Sequence, residues 1–169
     1  MMADFRIYVA DLAAYNNGKL HGVWIDAMAD DIEEQINDML KLSPEGFAEE
    51  WAIHDYEGFG DVSLSEYQGI DSVRDIACFL YENDEFGAAL LDYWSNDIEQ
   101  AKKAAEDGYH GCYADLAEYA QTITEDTTEI PSHLAYYIDY ERLGRDMEMN
   151  GDLYTLDLSH NQVHVFCHH

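Results

Sequence analysis

Basic residues are what this chain most lacks. Only 8 Lys and Arg stand against 36 Asp and Glu, a formal net charge of −28 over 169 residues. A protein that neutralises nucleic-acid phosphates needs Lys and Arg in numbers, so the balance speaks against nucleic acid as a partner. Cysteine is scarce too: Cys78, Cys112 and Cys167 are odd in number and far apart, which argues against a disulfide framework. No apolar run approaches the ~18 residues of a membrane-spanning helix, and the opening "MMADFRIYVADL" lacks the basic and apolar regions of a signal peptide. These absences lead to the expectation of a soluble, cytoplasmic protein with no membrane partner. Signature motifs are missing as well. There is no GxGxxG, P-loop, GxSxG, HExxH or CxxC, and the acids never alternate as a calcium loop requires. No cofactor is expected.

What is present argues for a folded chain. High net charge signals disorder only where apolar and aromatic residues are few. Here apolar residues make up 47% and aromatics 13%, including 13 Tyr. Nor is there an acidic tail: acids against bases number 13 and 3 in residues 1–60, 12 and 3 in 61–110, and 11 and 2 in 111–169.

The stretch "DDIEEQINDML" (30–40) shows where the charge goes. Ile32, Ile36, Met39 and Leu40 fall on one face of a 3.6-residue period, so Asp30, Asp31, Glu33, Glu34 and Asp38 spread over the opposite half. Asp30 or Asp31 suits the N-cap, and acids in the first turn gain about 0.3–1 kcal/mol each from the helix dipole. Asp38 lies where the dipole disfavours it. The like-charged pairs Asp30/Glu34 and Glu34/Asp38, four residues apart, each cost about 0.2–0.5 kcal/mol. Stability alone would have placed Lys there.

The remaining periodicity predicts an α+β chain. Strands are expected at 5–12, 23–27 and 49–57, the last with Trp51, Ile53 and Asp55 on one face, and "GFGDVSLSEY" (58–67) reads as a linker. From Ser72 the period becomes helical, with Val73, Ile76, Ala77 and Leu80 on one face and Cys78 as a core residue. Further helices are expected over 84–94, 97–108, 113–123 and 132–144. Asn150-Gly151 reads as a hairpin turn between "DMEM" and "LYTLDL", and "VHVFC" (163–167) as the final strand. The expected domains are 1–61 (α+β), 62–108 (helical) and 109–169 (α+β), with small antiparallel sheets at both ends of the chain.

Histidine and cysteine supply two weak candidates for metal chemistry. His54-Asp55 matches the dipeptide of metal-dependent phosphohydrolases, but it sits in a predicted strand, where packing is the default reading. His160, His164, Cys167, His168 and His169 cluster near the terminus, where chain ends fray; no native metal site is expected.

The charge itself has a natural comparison. Duplex DNA carries one negative charge per about 1.7 Å of axis, so a net −28 equals that of about 48 Å of duplex, or about 14 base pairs. A compact globule of this length is about 40 Å across. A halophilic protein would show much the same total and a similar scarcity of Lys. The two readings differ in what salt does: it weakens the complex of a DNA mimic and stabilises a halophilic fold.

Three blocks narrow the choice. "IYVADLAAYNNGKLHGVWIDA" (7–27), "EEWAIHDYEGFG" (49–60) and "IDYERLGRDMEMNGD" (138–152) resemble, in order and over nearly the whole chain, the ArdA family of antirestriction proteins. The terminal "CHH" has no place in that likeness. The resemblance implies a DNA mimic encoded on a mobile element that fills the DNA-binding groove of type I restriction-modification enzymes and blocks restriction and often modification. It also implies an elongated homodimer of three small domains per chain, joined through the C-terminal domain, with no catalysis. The carboxylates expected to stand in for phosphates are Asp30, Asp31, Glu33, Glu34 and Asp38; Glu82, Asp84, Glu85, Asp92, Asp97 and Glu99; and Asp115, Glu118, Glu125 and Asp126. Arg142 and Arg145 are expected to form structural or dimer ion pairs with Asp139, Glu141, Asp146 or an acid of a second subunit. The rival readings are an acid-rich halophilic enzyme and a mimic directed at another DNA-binding protein.

Overall fold

The structure, a computed structural model, describes residues 5–168. The chain forms two compact units, residues 1–88 and 89–169, and each contains an antiparallel three-stranded sheet covered by helices, an α+β arrangement.

In the first unit β1 (Arg6–Asp11) lies between β2 (Gly22–Asp26) and β3 (Trp51–Glu57). Period-2 alternation turns Ile7 and Val9 of β1 and Ile25 of β2 into the core, with Ile7 opposite Ile25. Opposite β3 the register slips: Tyr8 faces Asp55 but Val9 faces Ile53, so His54 is the extra residue of a bulge. The bulge corrects the expected face of β3. Ile53 is buried and Asp55 is exposed, since the alternation resets at His54; Ala52, before the bulge, is buried as well. Between β1 and β2 the chain makes a short helix that periodicity does not reveal, α1 (Leu12–Asn16). It starts on Asp11, whose buried Oδ1 accepts from the Ala14 N–H at 3.2 Å. α2 (Ile32–Lys41) lies against β1 and β2. α3 (Ile70–Glu82) buries Val73, Ile76, Ala77, Phe79 and Leu80, and Cys78 is half-buried on it.

α4 (Gly87–Tyr93) leads into a turn where Ser95 and Asn96 both take left-handed backbone angles (φ 56° and 66°). The Asn96 N–H closes that turn on the Leu91 carbonyl at 2.7 Å. α5 (Ile98–Lys103) is capped by Asp97 and widens into a π turn over Ala104–Gly108, so the helix expected over 97–108 is regular only in its first half. Next comes a strand that sequence reading missed, β4 (Tyr109–Tyr113). Its "YHGCY" lacks apolar alternation, and Gly111 (φ 113°) breaks its register against the neighbouring strand. α6 therefore begins at Leu116 rather than 113 and runs to Thr127.

The stretch 132–144 is not one helix. A single 3-10 turn (Ala135–Tyr137) precedes α7 (Tyr140–Met149), which starts on an Asp139 cap. "DMEM" is accordingly the last turn of α7 and not a strand. Gly151 (φ 81°) ends that helix, its N–H on the Glu148 carbonyl and the Asp152 N–H on that of Met147. A left-handed glycine serves a hairpin and a helix C-terminus equally well, which is why the sequence misled. The hairpin lies further on, between β5 (Leu153–Ser159) and β6 (Gln162–Cys167), with Asn161 left-handed at its tip. The sheet order is β4-β6-β5. Its core gathers Tyr119, Leu153 and Val165, with Leu116 and Ile123 of α6 and Met147 of α7 packed against them.

Candidate partner-binding surface

α2 shows how the chain builds an acidic face. Its apolar stripe, Ile32, Ile36, Met39 and Leu40, is at most 7% exposed. Glu33, Glu34 and Asp38 consequently face outward and are exposed. Asp31 is the N-cap residue but makes no side-chain bond to the helix N-terminus; its Oδ1 accepts from Gln35 Nε2 at 2.8 Å. Asp30, which sequence alone leaves without a cation, pairs with Arg74 of α3. Since the Asp30 side chain is 95% exposed, the pair contributes little to stability. Asp30, Asp31, Glu33, Glu34, Asp71 and Arg74 line an open groove of about 550 Å³ in this unit.

The other acids singled out by sequence are also exposed: Glu82, Asp84, Glu85, Asp92, Asp97, Glu99, Asp115, Glu118, Glu125 and Asp126. Some hold the helices together as well. Asp97 caps α5 by accepting from the Gln100 N–H at 3.2 Å. Asp115 caps α6 through the Glu118 N–H at 2.8 Å, while Glu118 reaches back to the Ala114 N–H at 2.6 Å. Glu125 accepts from Gln121 at 3.0 Å. Glu33, Glu34, Asp38, Glu82, Asp84, Glu85, Asp92, Glu99 and Asp126 have no protein partner among the described residues. By unit, acids against bases number 20 and 4 in residues 1–88 and 16 and 4 in 89–169, a net −16 and −12.

Arg142 and Arg145 are both exposed on α7 and enter no ion pair among the described residues. Asp139 serves as the α7 cap, accepting from the Arg142 backbone N–H at 3.0 Å.

Among the described residues the histidines and cysteines do not gather into one cluster. His160 is exposed at the hairpin tip and His164 is buried, its Nδ1 2.8 Å from the Tyr109 hydroxyl. Cys167, three residues further along the same strand, faces the other way, with its Sγ 3.5 Å from His110 Nδ1. The His168 ring lies 4.7 Å from that of Tyr154, and His169 is outside the described residues. Among those residues no three His, Cys, Asp or Glu side chains gather as a metal site would require. His54 packs edge-on against Tyr15 at 4.6 Å and pairs with Glu66 at 3.3 Å.

Burial pushes the Cys167 thiol up; Asp152 adds to the shift and a bond with Tyr119 opposes it. A thiol held in its neutral form is the opposite of a nucleophile. Tyr119 is pushed up to about 12, chiefly by burial, then by Cys167 and Tyr113. Tyr154 is raised by burial as well, against the hydrogen bond donated by Trp94.

Sequence reasoning missed one surface feature. Leu20, Leu42 and Phe47 are 89%, 77% and 97% exposed. Isolated apolar residues in loops carry no periodic signal that separates a surface side chain from a core one.

In comparison with known proteins, a family model described as "Antirestriction protein (ArdA)" matches residues 7–162. A search of curated proteins found no match.

Proposed function

The chain belongs to the ArdA family of antirestriction proteins, and on that premise we propose that it acts as a DNA mimic, occupying the DNA-binding groove of type I restriction-modification enzymes and blocking restriction and modification. Family membership makes it an antirestriction protein; that it is not an enzyme and that restriction-modification enzymes are its partners is what the membership implies. The observation that carries the mimic reading is the placement of charge. Every acid singled out on the helical segments is exposed, and both units are strongly negative.

Target Lys and Arg that normally neutralise phosphates would meet carboxylates already fixed on helices, so no duplex need be bent into the groove. Steering by the long-range field speeds association at low salt. With the charge so distributed, single substitutions among these acids have small effects, and Asp30, already paired with Arg74, matters less than Glu33 or Glu34. The protein works in the cytoplasm on this reading.

The quaternary reading belongs to the same proposal. A homodimer through the C-terminal domain is supported by Leu134, Tyr136, Tyr137 and Met149, which are 47%, 95%, 83% and 76% exposed, and by Arg142 and Arg145, which enter no ion pair among the described residues. Three small domains per chain, 1–61, 62–108 and 109–169, belong to the same proposal; contacts within the chain divide it instead into two units, 1–88 and 89–169.

The test is displacement of a DNA duplex from a purified type I enzyme across a salt series. Near-stoichiometric displacement that weakens steeply with salt is expected. No displacement at low salt by folded protein would overturn the mimic reading.

A further inference from the structure

The outward face of the first sheet carries rings as well as charge. The alternation that turns Ile7, Val9 and Ile25 into the core puts Arg6, Tyr8, Trp24 and Asp26 on the other face. Tyr8 stands opposite Trp24 of β2 and Asp55 of β3, and Arg6 opposite Asp26 and Glu57, so two rows of three side chains cross the sheet. The Tyr8 and Trp24 rings meet at 5.4 Å, tilted by 47°. Gly22 makes room for them: a Cβ there would come within 2.7 Å of the Tyr8 Cζ and hydroxyl oxygen and within 2.5 Å of the Val9 carbonyl oxygen. Trp24 remains 38% exposed, and Asp26, Asp55 and Glu57 are exposed beside it.

The chain itself shows what these rings hold. The Arg6 guanidinium lies over the Trp24 ring, 5.5 Å from its centroid, while pairing with Glu57. Asp26 and Asp55 enter no ion pair among the described residues. Each accepts one backbone N–H, from Met28 at 2.9 Å and from Tyr56 at 2.8 Å, which leaves lone pairs for a cation. Three carboxylates against one guanidinium give this face a net −2, the same sign as its unit at −16.

We propose that Tyr8, Trp24 and Asp55 receive one arginine side chain from the DNA-binding groove of the restriction-modification enzyme, its guanidinium lying against the rings and its N–H groups on the Asp55 carboxylate. The inference rests on the mimic reading and adds to it an uncharged contact that a phosphate cannot make. A guanidinium suits both partners at once, being planar, able to stack on an aromatic face and forked towards a carboxylate. Charge selects its source. A groove that neutralises phosphates supplies cations in number, whereas a second copy of the chain, at net −28, would bring an acidic surface against an acidic face. Arg6 is then the internal cation with which the target's arginine competes for Trp24.

The test is direct binding of parent and variant chains to an immobilised type I enzyme across a salt series. Trp24→Leu is expected to weaken binding about tenfold, with the slope of log affinity against log salt unchanged because no charge is altered. Asp55→Asn should weaken binding and flatten that slope. Arg6→Gln should tighten binding, and by more than Lys41→Gln, the same change of charge elsewhere in the unit, because it also frees the Trp24 ring. In a Trp24→Leu background that surplus should vanish. Trp24→Phe, which keeps a ring, should recover much of the affinity and serves if Trp24→Leu does not melt like the parent chain.

Parent-like binding by Trp24→Leu would overturn the proposal. A loss without the Arg6→Gln surplus would assign the rings to an apolar contact and overturn it too, as would a fall in the mass of Trp24→Leu by light scattering, which would assign them to a second copy. DNA displacement followed in parallel separates the two readings. If the parent displaces DNA and Trp24→Leu displaces it equally well, the ring contact alone is refuted; if the parent displaces none, mimicry fails and the groove arginine with it.

Discussion

Gly144 illustrates how much one missing side chain can decide. It sits buried inside α7, where a Cβ would come within 2.9 Å of the Leu116 carbonyl oxygen and 3.0 Å of its Cγ, at the crossing of α6 and α7. From helix propensity alone Gly144→Ala should stabilise by about 0.5–1 kcal/mol; the crossing reverses the sign, and a loss of about 1–3 kcal/mol in a denaturant melt is expected. Tyr119 makes a prediction of a different kind. Its phenol rises from 10.0 to about 12 in the fold, so the neutral form is the one the core favours. Its contribution to stability is fully present below pH 10 and is lost as pH climbs towards 12. Tyr119→Phe loses the bond to His110 at every pH, but over that alkaline window its stability should fall less than that of the parent chain in parallel melts.

At the scale of elements, the helices carry acids in two capacities. Asp115 is both exposed and the α6 cap, with Glu118 completing the exchange at Ala114, whereas Glu34 on α2 bonds to nothing among the described residues. Asp115→Ala should cost about 1 kcal/mol of stability, and Glu34→Gln should stay within about 0.5 kcal/mol of the parent; equal thermal shifts for the two would contradict this division. The amphipathic face of α2 was legible because a 3.6-residue period survives in any burial pattern. β4 and the end of α7 were not: "YHGCY" takes its strand state from pairing with β6, a partner over 50 residues away.

At the scale of the molecule, a net −28 makes every association a contest between apolar burial and self-repulsion. Arg142 and Arg145 stand exposed in an acidic unit without an intrachain ion pair among the described residues, so their value should lie between chains. Arg145→Glu is expected to shift the mass measured by light scattering towards the monomer while changing monomer stability by less than about 0.5 kcal/mol. An unchanged mass with an unchanged melt would remove Arg145 from the interface.

Composition and periodicity by themselves determined that this chain folds and that its helices turn acids outward, while the likeness of its long aromatic-rich blocks to the ArdA family was legible in the sequence as a resemblance. Those properties are local: a charge count and the spacing of Ile32, Ile36, Met39 and Leu40 need no knowledge of neighbours. Tertiary structure alone decided that Asp30 is partnered by Arg74, that His54 sits in a bulge, that Gly144 is a crossing point, and that Leu20, Leu42 and Phe47 remain outside the core. Each of these depends on which distant segment comes alongside, and periodicity along the chain holds no record of that pairing.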